Sequence, residues 1–121
     1  MRQKITKELR YRVFYKYNEH CAYCGCKLSL KTMQVDHLES YMNNGENLDF
    51  NNLMPSCRQC NFYKNTFTLE KFREQLTHIT DRLNKTFIYR LAKKYNLIIE
   101  NENNPIVFYF EKYKNEVKNE H

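Results

Sequence analysis

Two pairs of cysteines carry the first chemistry legible in this 121-residue chain. Cys21-Ala22-Tyr23-Cys24 and Cys57-Arg58-Gln59-Cys60 each place two thiols one turn apart. Four thiolates close a tetrahedral shell around one zinc at Zn–S distances of about 2.3 Å, and each CxxC turn supplies half of it. A zinc held by Cys21, Cys24, Cys57 and Cys60 would staple the two ends of a long loop. What that loop presents is an acid beside a histidine, Asp36-His37, and an asparagine, Asn61, directly after the last cysteine. Adjacent residues on a strand point to opposite faces, so Asp36 and His37 meet at one site only if the backbone twists or the site wraps the strand end.

Around these residues the sequence supplies short elements. Leu9, Val13 and Tyr17 recur at a spacing of four, predicting a helix over about 6–17. Residues 1–16 carry Arg2, Lys4, Lys7, Arg10, Arg12 and Lys16 against a single acid, Glu8, so the helix turns a basic side to phosphate or to solvent. Gly25 after Cys24 frees the backbone for a tight metal turn. Met33–Leu38 reads as a short strand, Ser40–Asn52 as a polar loop, and Leu53–Ser56 as a second strand with Pro55 at an edge or an end. A helical run follows Cys60. Leu69, Phe72, Leu76, Ile79, Leu83, Phe87, Leu91 and Tyr95 keep helical spacing, with Thr68 placed as an N-cap. One bent helix, or two broken near Thr77–Asp81, fits that stripe, which core packing explains. Leu97–Glu100 and Ile106–Phe110, separated by Asn-Glu-Asn-Asn-Pro, predict a terminal hairpin before a polar tail.

Composition sets the frame. Paired CxxC spacing and an odd count of five cysteines point to metal binding with reduced thiols rather than a disulfide framework. Cys26, the cysteine outside the pairs, is expected as a small buried hydrophobe, and His20 as an outside support of the first knuckle. His78 and His121 have no partners in sequence and read as surface residues. The net charge of +6 favours a polyanionic partner, nucleic acid first. No window is long and apolar enough for a membrane span, and the N-terminus lacks the apolar run of a secretory signal. The expectation is a cytoplasmic protein, in a bacterial or phage-infected cell.

With Cys21-x-x-Cys24, Val35-Asp36-His37, Asn52-Leu53, Cys57-x-x-Cys60-Asn61 and Lys64 in this order, the chain resembles the HNH endonuclease family over about residues 8–65. The resemblance implies an α+β fold, a small ββα-metal core stapled by zinc. A helical extension and a C-terminal β-hairpin would follow over about 66–110 and a polar tail over 111–121, all in a single domain. It implies that His37 is the general base activating water, and that Asp36 and Asn61 are ligands of a catalytic Mg²⁺ or Mn²⁺. Asn52 would be the side chain that ties the loop and holds His37, and the four cysteines the structural zinc ligands. The sequence departs from the family pattern at Asn61, where the name-giving residue is histidine. It departs again at Leu38-Glu39-Ser40 and in a loop whose glycine pair is reduced to Gly45.

Physical chemistry agrees with those roles. A carboxylate and an amide oxygen are hard ligands suited to magnesium or manganese. A histidine with an ordinary pKa of about 6.5 is largely neutral at cellular pH and accepts a proton from water. The expected function is hydrolysis of DNA phosphodiester bonds by one metal and a histidine base, and the resemblance implies 5′-phosphate and 3′-hydroxyl ends. Lys64 and Arg58 are the expected phosphate contacts. The alternative is a non-catalytic zinc-stabilised module that binds nucleic acid or protein. A protein partner or a homodimer would pair through the terminal hairpin.

Overall fold

The computed structural model describes residues 5–39, 49–101 and 104–113. These fall into two compact units, one running to Leu69 and resuming at Val107, the other spanning Glu70–Ile106.

The first unit begins with α1, Lys7–Tyr15, capped by the Thr6 hydroxyl, which accepts from the Leu9 amide at 3.1 Å. Val13 and Phe14 on its inner face are buried, as is Tyr17 just beyond its end. The strands β1, Gln34–His37, and β2, Leu53–Ser56, form one antiparallel pair, with Asp36 opposite Met54 and His37 opposite Leu53. A single 3₁₀ turn, Phe50–Asn52, leads into β2. The strand β2 is buried along its whole length. Helix α1 packs against β2, and α2, Arg58–Lys64, packs against β1. The region 40–48, including Gly45, lies outside the described residues.

The basic side of α1 works inward. The Arg10 guanidinium donates to the carbonyls of Leu30 and Met33 at 2.7 Å each. The Lys16 ammonium donates to the carbonyls of Phe50 and Leu53 at 2.7 and 2.8 Å, and Arg12 lies over the Phe50 ring. Carbonyls at loop and strand ends have no ladder partner, and long cationic side chains reach them while burying their alkyl stems. Arg10, Arg12 and Lys16 are therefore fasteners of the fold rather than a free phosphate-facing row.

The expected terminal hairpin does not form among the described residues. Leu97–Glu100 is irregular, and residues 104–108 are irregular before a helical turn at 109–113. The physical reason is a better partner for the second limb. The Tyr109 and Phe110 amides donate to the carbonyls of Tyr23 and Ala22 at 3.0 and 2.8 Å, and Phe108 and Phe110 are buried with their rings against Tyr23. This returning segment caps the first cysteine knuckle. Gly25 sits there with φ of +83°, and a Cβ on it would lie 3.0 Å from the Tyr109 ring. A side chain at this position meets both backbone strain and the ring.

The second unit contains α3, Leu69–Thr77 (entered from the first unit), α4, Ile79–Leu83, and α5, Phe87–Lys94. The apolar stripe thus crosses two breaks. Thr86 starts α5 as an N-cap whose hydroxyl accepts from the Tyr89 amide. The stripe's 3.6-residue period survives the interruption because caps, not periodicity, set helix ends. Glu100 gathers Asn84, Tyr89 and Lys93 onto one carboxylate oxygen at 2.7, 3.1 and 3.2 Å. Hydrogen bonds from Asn84 and Lys93 hold that carboxyl below its ordinary range.

Candidate metal centre and active site

The four cysteines of the two CxxC pairs converge. The sulfur atoms of Cys21, Cys24, Cys57 and Cys60 all lie within 4.8 Å of one another. A regular tetrahedron with Zn–S bonds of about 2.3 Å has edges of about 3.8 Å. Cys24 Sγ and Cys57 Sγ stand 3.8 Å apart. The donor set and spacing fit a four-thiolate zinc.

Local backbone chemistry builds both halves. In the first knuckle the Cys21 amide donates to the Cys26 carbonyl at 2.8 Å, the Gly25 amide donates to the Cys21 carbonyl, and the Tyr23 amide points at Cys21 Sγ. In the second, Cys57 is the N-cap of α2, its sulfur accepting from the Cys60 amide. The Ala22 amide donates to the Pro55 carbonyl at 2.8 Å, joining the first knuckle to β2. Amides aimed at sulfur favour thiolate over thiol. Cys26 is exposed rather than buried, and its carbonyl accepts from the Cys21 amide within the knuckle. His20 supports the knuckle from outside through a bridge to Lys27 and a ring contact with Tyr109.

A second cluster lies beside the first. Asp36 on β1 is 5% exposed, and its Oδ2 accepts from the Tyr23 hydroxyl at 2.5 Å and from the Lys64 ammonium at 3.0 Å. Lys64 also donates to the His37 carbonyl at 2.8 Å. One ammonium therefore locks the last turn of α2 onto the two β1 residues expected to do chemistry. Burial is the largest influence on Asp36 and raises its carboxyl above the ordinary range, opposed by Lys64 and Tyr23. Burial and the neighbouring Asp36 keep the Tyr23 hydroxyl protonated, so it serves as a donor. Both contacts fall on Oδ2.

Lys64 is not placed to touch DNA. It is fully buried, and an ammonium at 0% exposure persists only when paired, as it is here with Asp36. The expected phosphate contact is corrected on that ground. Arg58, at the first position of α2, is exposed.

Asn52 sits at the entrance of β2 and reaches across to the chain just past His37. Its Oδ1 accepts from the Glu39 amide at 2.9 Å, its Nδ2 donates to the Glu39 carbonyl at 3.2 Å, and its own carbonyl accepts from the Leu38 amide at 2.7 Å. This clamp fixes the backbone just past His37, next to the His37 carbonyl that Lys64 holds. His37 itself is 6% exposed. Asn61 lies half-exposed in the first turn of α2, directly after Cys60.

The structure thus brings together a four-sulfur cluster, an Asp-His strand end and an asparagine on the helix packed against that strand. Residues 21–67 match the HNH endonuclease family model. The match covers both CxxC pairs, β1, β2 and α2, and leaves out α1, α3–α5 and the returning segment. No curated protein matches the chain. The HNH segment points to a nuclease family, and its cysteine cluster to zinc. No helix among the described residues is long and apolar enough to cross a membrane.

Sequence reasoning passes over Tyr23 as a functional residue. Its only signal is its place between two metal-ligand candidates, and that does not show which way its hydroxyl turns.

Proposed function

We propose that this protein is a metal-dependent DNA endonuclease that hydrolyses phosphodiester bonds with His37 as general base. The observation that supports it most is the fastening of Asp36 and His37 to α2 by Lys64, with Asn61 on that helix and the whole inside the HNH segment.

The roles follow from the local chemistry. Cys21, Cys24, Cys57 and Cys60 hold zinc as a staple, not as a reactant. Asp36 and Asn61 offer hard oxygens on two elements that pack together, a donor set that fits magnesium or manganese. When bound there, such an ion neutralises charge on the scissile phosphate and on the leaving 3′ oxygen. Tyr23 and Lys64 occupy Oδ2 of Asp36, oppose the upward pull of burial on its carboxyl and hold its rotamer. His37 takes the proton from the attacking water. Asn52 and Lys64 fix the backbone at and just past that base, and fixed geometry is what converts a nearby imidazole into an effective one. Arg58, exposed where α2 begins, is positioned to meet a backbone phosphate.

One observation favours the alternative of a non-catalytic zinc module. Asp36 and His37 are 5% and 6% exposed, with a buried ammonium against the acid, an arrangement that also serves stability alone.

The test is incubation of supercoiled plasmid with zinc-loaded protein, with and without added Mg²⁺ or Mn²⁺. Nicked or linear product that requires the added ion supports the nuclease. Intact plasmid under both ions, with a gel shift, supports the binding module.

A further inference from the structure

Helix α5 turns its apolar face outward. Phe87 and Ile88 are each 70% exposed, and Tyr95, its C-cap, is 72% exposed. At 100° per residue, Arg90, Lys94, Phe87, Leu91, Tyr95 and Ile88 follow one another around a single side of the helix. Tyr89 and Lys93 lie on the opposite side, consumed by Glu100. A helix that keeps its amphipathic pattern but presents the apolar stripe to solvent is built to be covered.

The charges beside that stripe indicate by what. From Arg82 through Ile99 the chain contains no acidic residue. Four other cations of this unit are engaged: Arg73 with Glu70 and the Ile106 carbonyl, Lys71 with Glu74, Arg82 with Gln75, Lys93 with Glu100. Lys85, Arg90 and Lys94 are exposed and face no carboxylate among the described residues; Arg90 donates to the Asn84 carbonyl. Aromatic rings with cations along one edge complement a strand that is anionic on its backbone and flat and apolar on its bases. Phe87 and Tyr95 stand roughly 12 Å apart along the helix axis, far enough to serve different bases. A second copy of the chain is a poorer fit, because antiparallel packing about a two-fold axis would set Arg90 and Lys94 against their own counterparts.

This unit leaves the HNH-bearing unit at Leu69 and rejoins it at Val107, so it is joined to that unit at both ends.

We propose that the outer face of α5 is a binding surface for single-stranded DNA, with Lys85, Arg90 and Lys94 on phosphates and Phe87 and Tyr95 stacking bases. The proposal rests on the nucleic-acid substrate proposed above, but not on catalysis.

The experiment is fluorescence anisotropy of a labelled single-stranded DNA oligonucleotide with the full zinc-loaded protein, no magnesium or manganese added, across a salt series. A duplex of the same sequence is run in parallel. Circular dichroism confirms that each variant folds, as substitution of exposed side chains should allow. Arg90→Ala with Lys94→Ala should lower the salt slope on the single strand by about 1.4, about 0.7 for each phosphate that is no longer neutralised. Phe87→Ala and Tyr95→Ala should each weaken single-strand binding about tenfold at unchanged slope. Unchanged single-strand affinity in all these variants overturns the proposal, and so does a loss confined to the duplex. A dimer seen by sedimentation and dispersed by Phe87→Ala, with DNA affinity unaltered, also overturns it and assigns the face to a second copy. Failed plasmid cleavage with intact α5-dependent binding refutes the nuclease alone.

Discussion

Replacing Lys64 by methionine tests the buried cluster directly. The substitution keeps most of the alkyl volume and removes the ammonium that binds Asp36 Oδ2 at 3.0 Å and the His37 carbonyl at 2.8 Å. What remains is a carboxylate at 5% exposure with Tyr23 as its donor. Breaking a buried pair by deleting one partner costs about 3–5 kcal/mol, whereas an ordinary surface substitution stays within about 0.5 kcal/mol. Lys64→Met should therefore lower the unfolding free energy of the zinc-loaded protein by about 3–5 kcal/mol in urea titrations. The double variant with Asp36→Leu leaves no orphaned charge and should cost less than the sum of the single variants by about 2 kcal/mol or more. The sign of the pH dependence follows from Asp36. Its folded-state carboxyl is raised, so its contribution is full below the ordinary carboxylate range and is lost as pH rises through the raised value. Without Lys64, the first opposing influence is gone and the value rises further. The deficit of Lys64→Met should then shrink as pH falls through that raised value. A cost near 0.5 kcal/mol, or strict additivity in the double variant, would refute the burial and pairing of Lys64.

Three further outcomes are expected. Cys57→Ser removes one sulfur of the cluster and the N-cap of α2, so zinc stoichiometry by metal analysis should fall and the domain should lose its cooperative melt; structural zinc carries about 10–16 kcal/mol of apparent binding energy. Tyr23→Phe keeps the ring against Phe108 and Phe110 but deletes a hydrogen bond to a charged group, for an expected loss of about 1.5–3 kcal/mol in chemical denaturation with zinc content unchanged. Asn52→Ala opens both bonds to Glu39 and should cost about 1–3 kcal/mol, with turnover falling more than stability accounts for if the clamp positions His37.

Much of the site is legible in the sequence because its parts are local. A CxxC turn converges its own sulfurs, and two short strands flanked by those turns leave little freedom of register, so the β1–β2 pair and its Asp-His end appear where the sequence places them. The fate of Lys64 is not legible, since a lysine is exposed by default and only the placement of Asp36 in the fold overrides that. Arg10 and Lys16 are the same case, their partners being backbone carbonyls 20 or more residues away. The terminal hairpin fails for a related reason. The continuous apolar run at 106–110 marks a segment to be buried, but not which neighbour covers it, and the first knuckle offers the Ala22 and Tyr23 carbonyls and the Tyr23 ring. The breaks in the long apolar stripe have a readable signal in Thr86, a capping residue before Phe87-Ile88.

The central claim is that Asp36 and His37, held by α2 beside a zinc staple, cleave DNA. Its most direct measurement compares wild-type protein and His37→Ala on supercoiled plasmid with added Mg²⁺ or Mn²⁺, after both are shown to carry equal zinc and to melt alike. The account predicts nicked or linear product from the wild type and none from His37→Ala. Equal cleavage by the two proteins would contradict it.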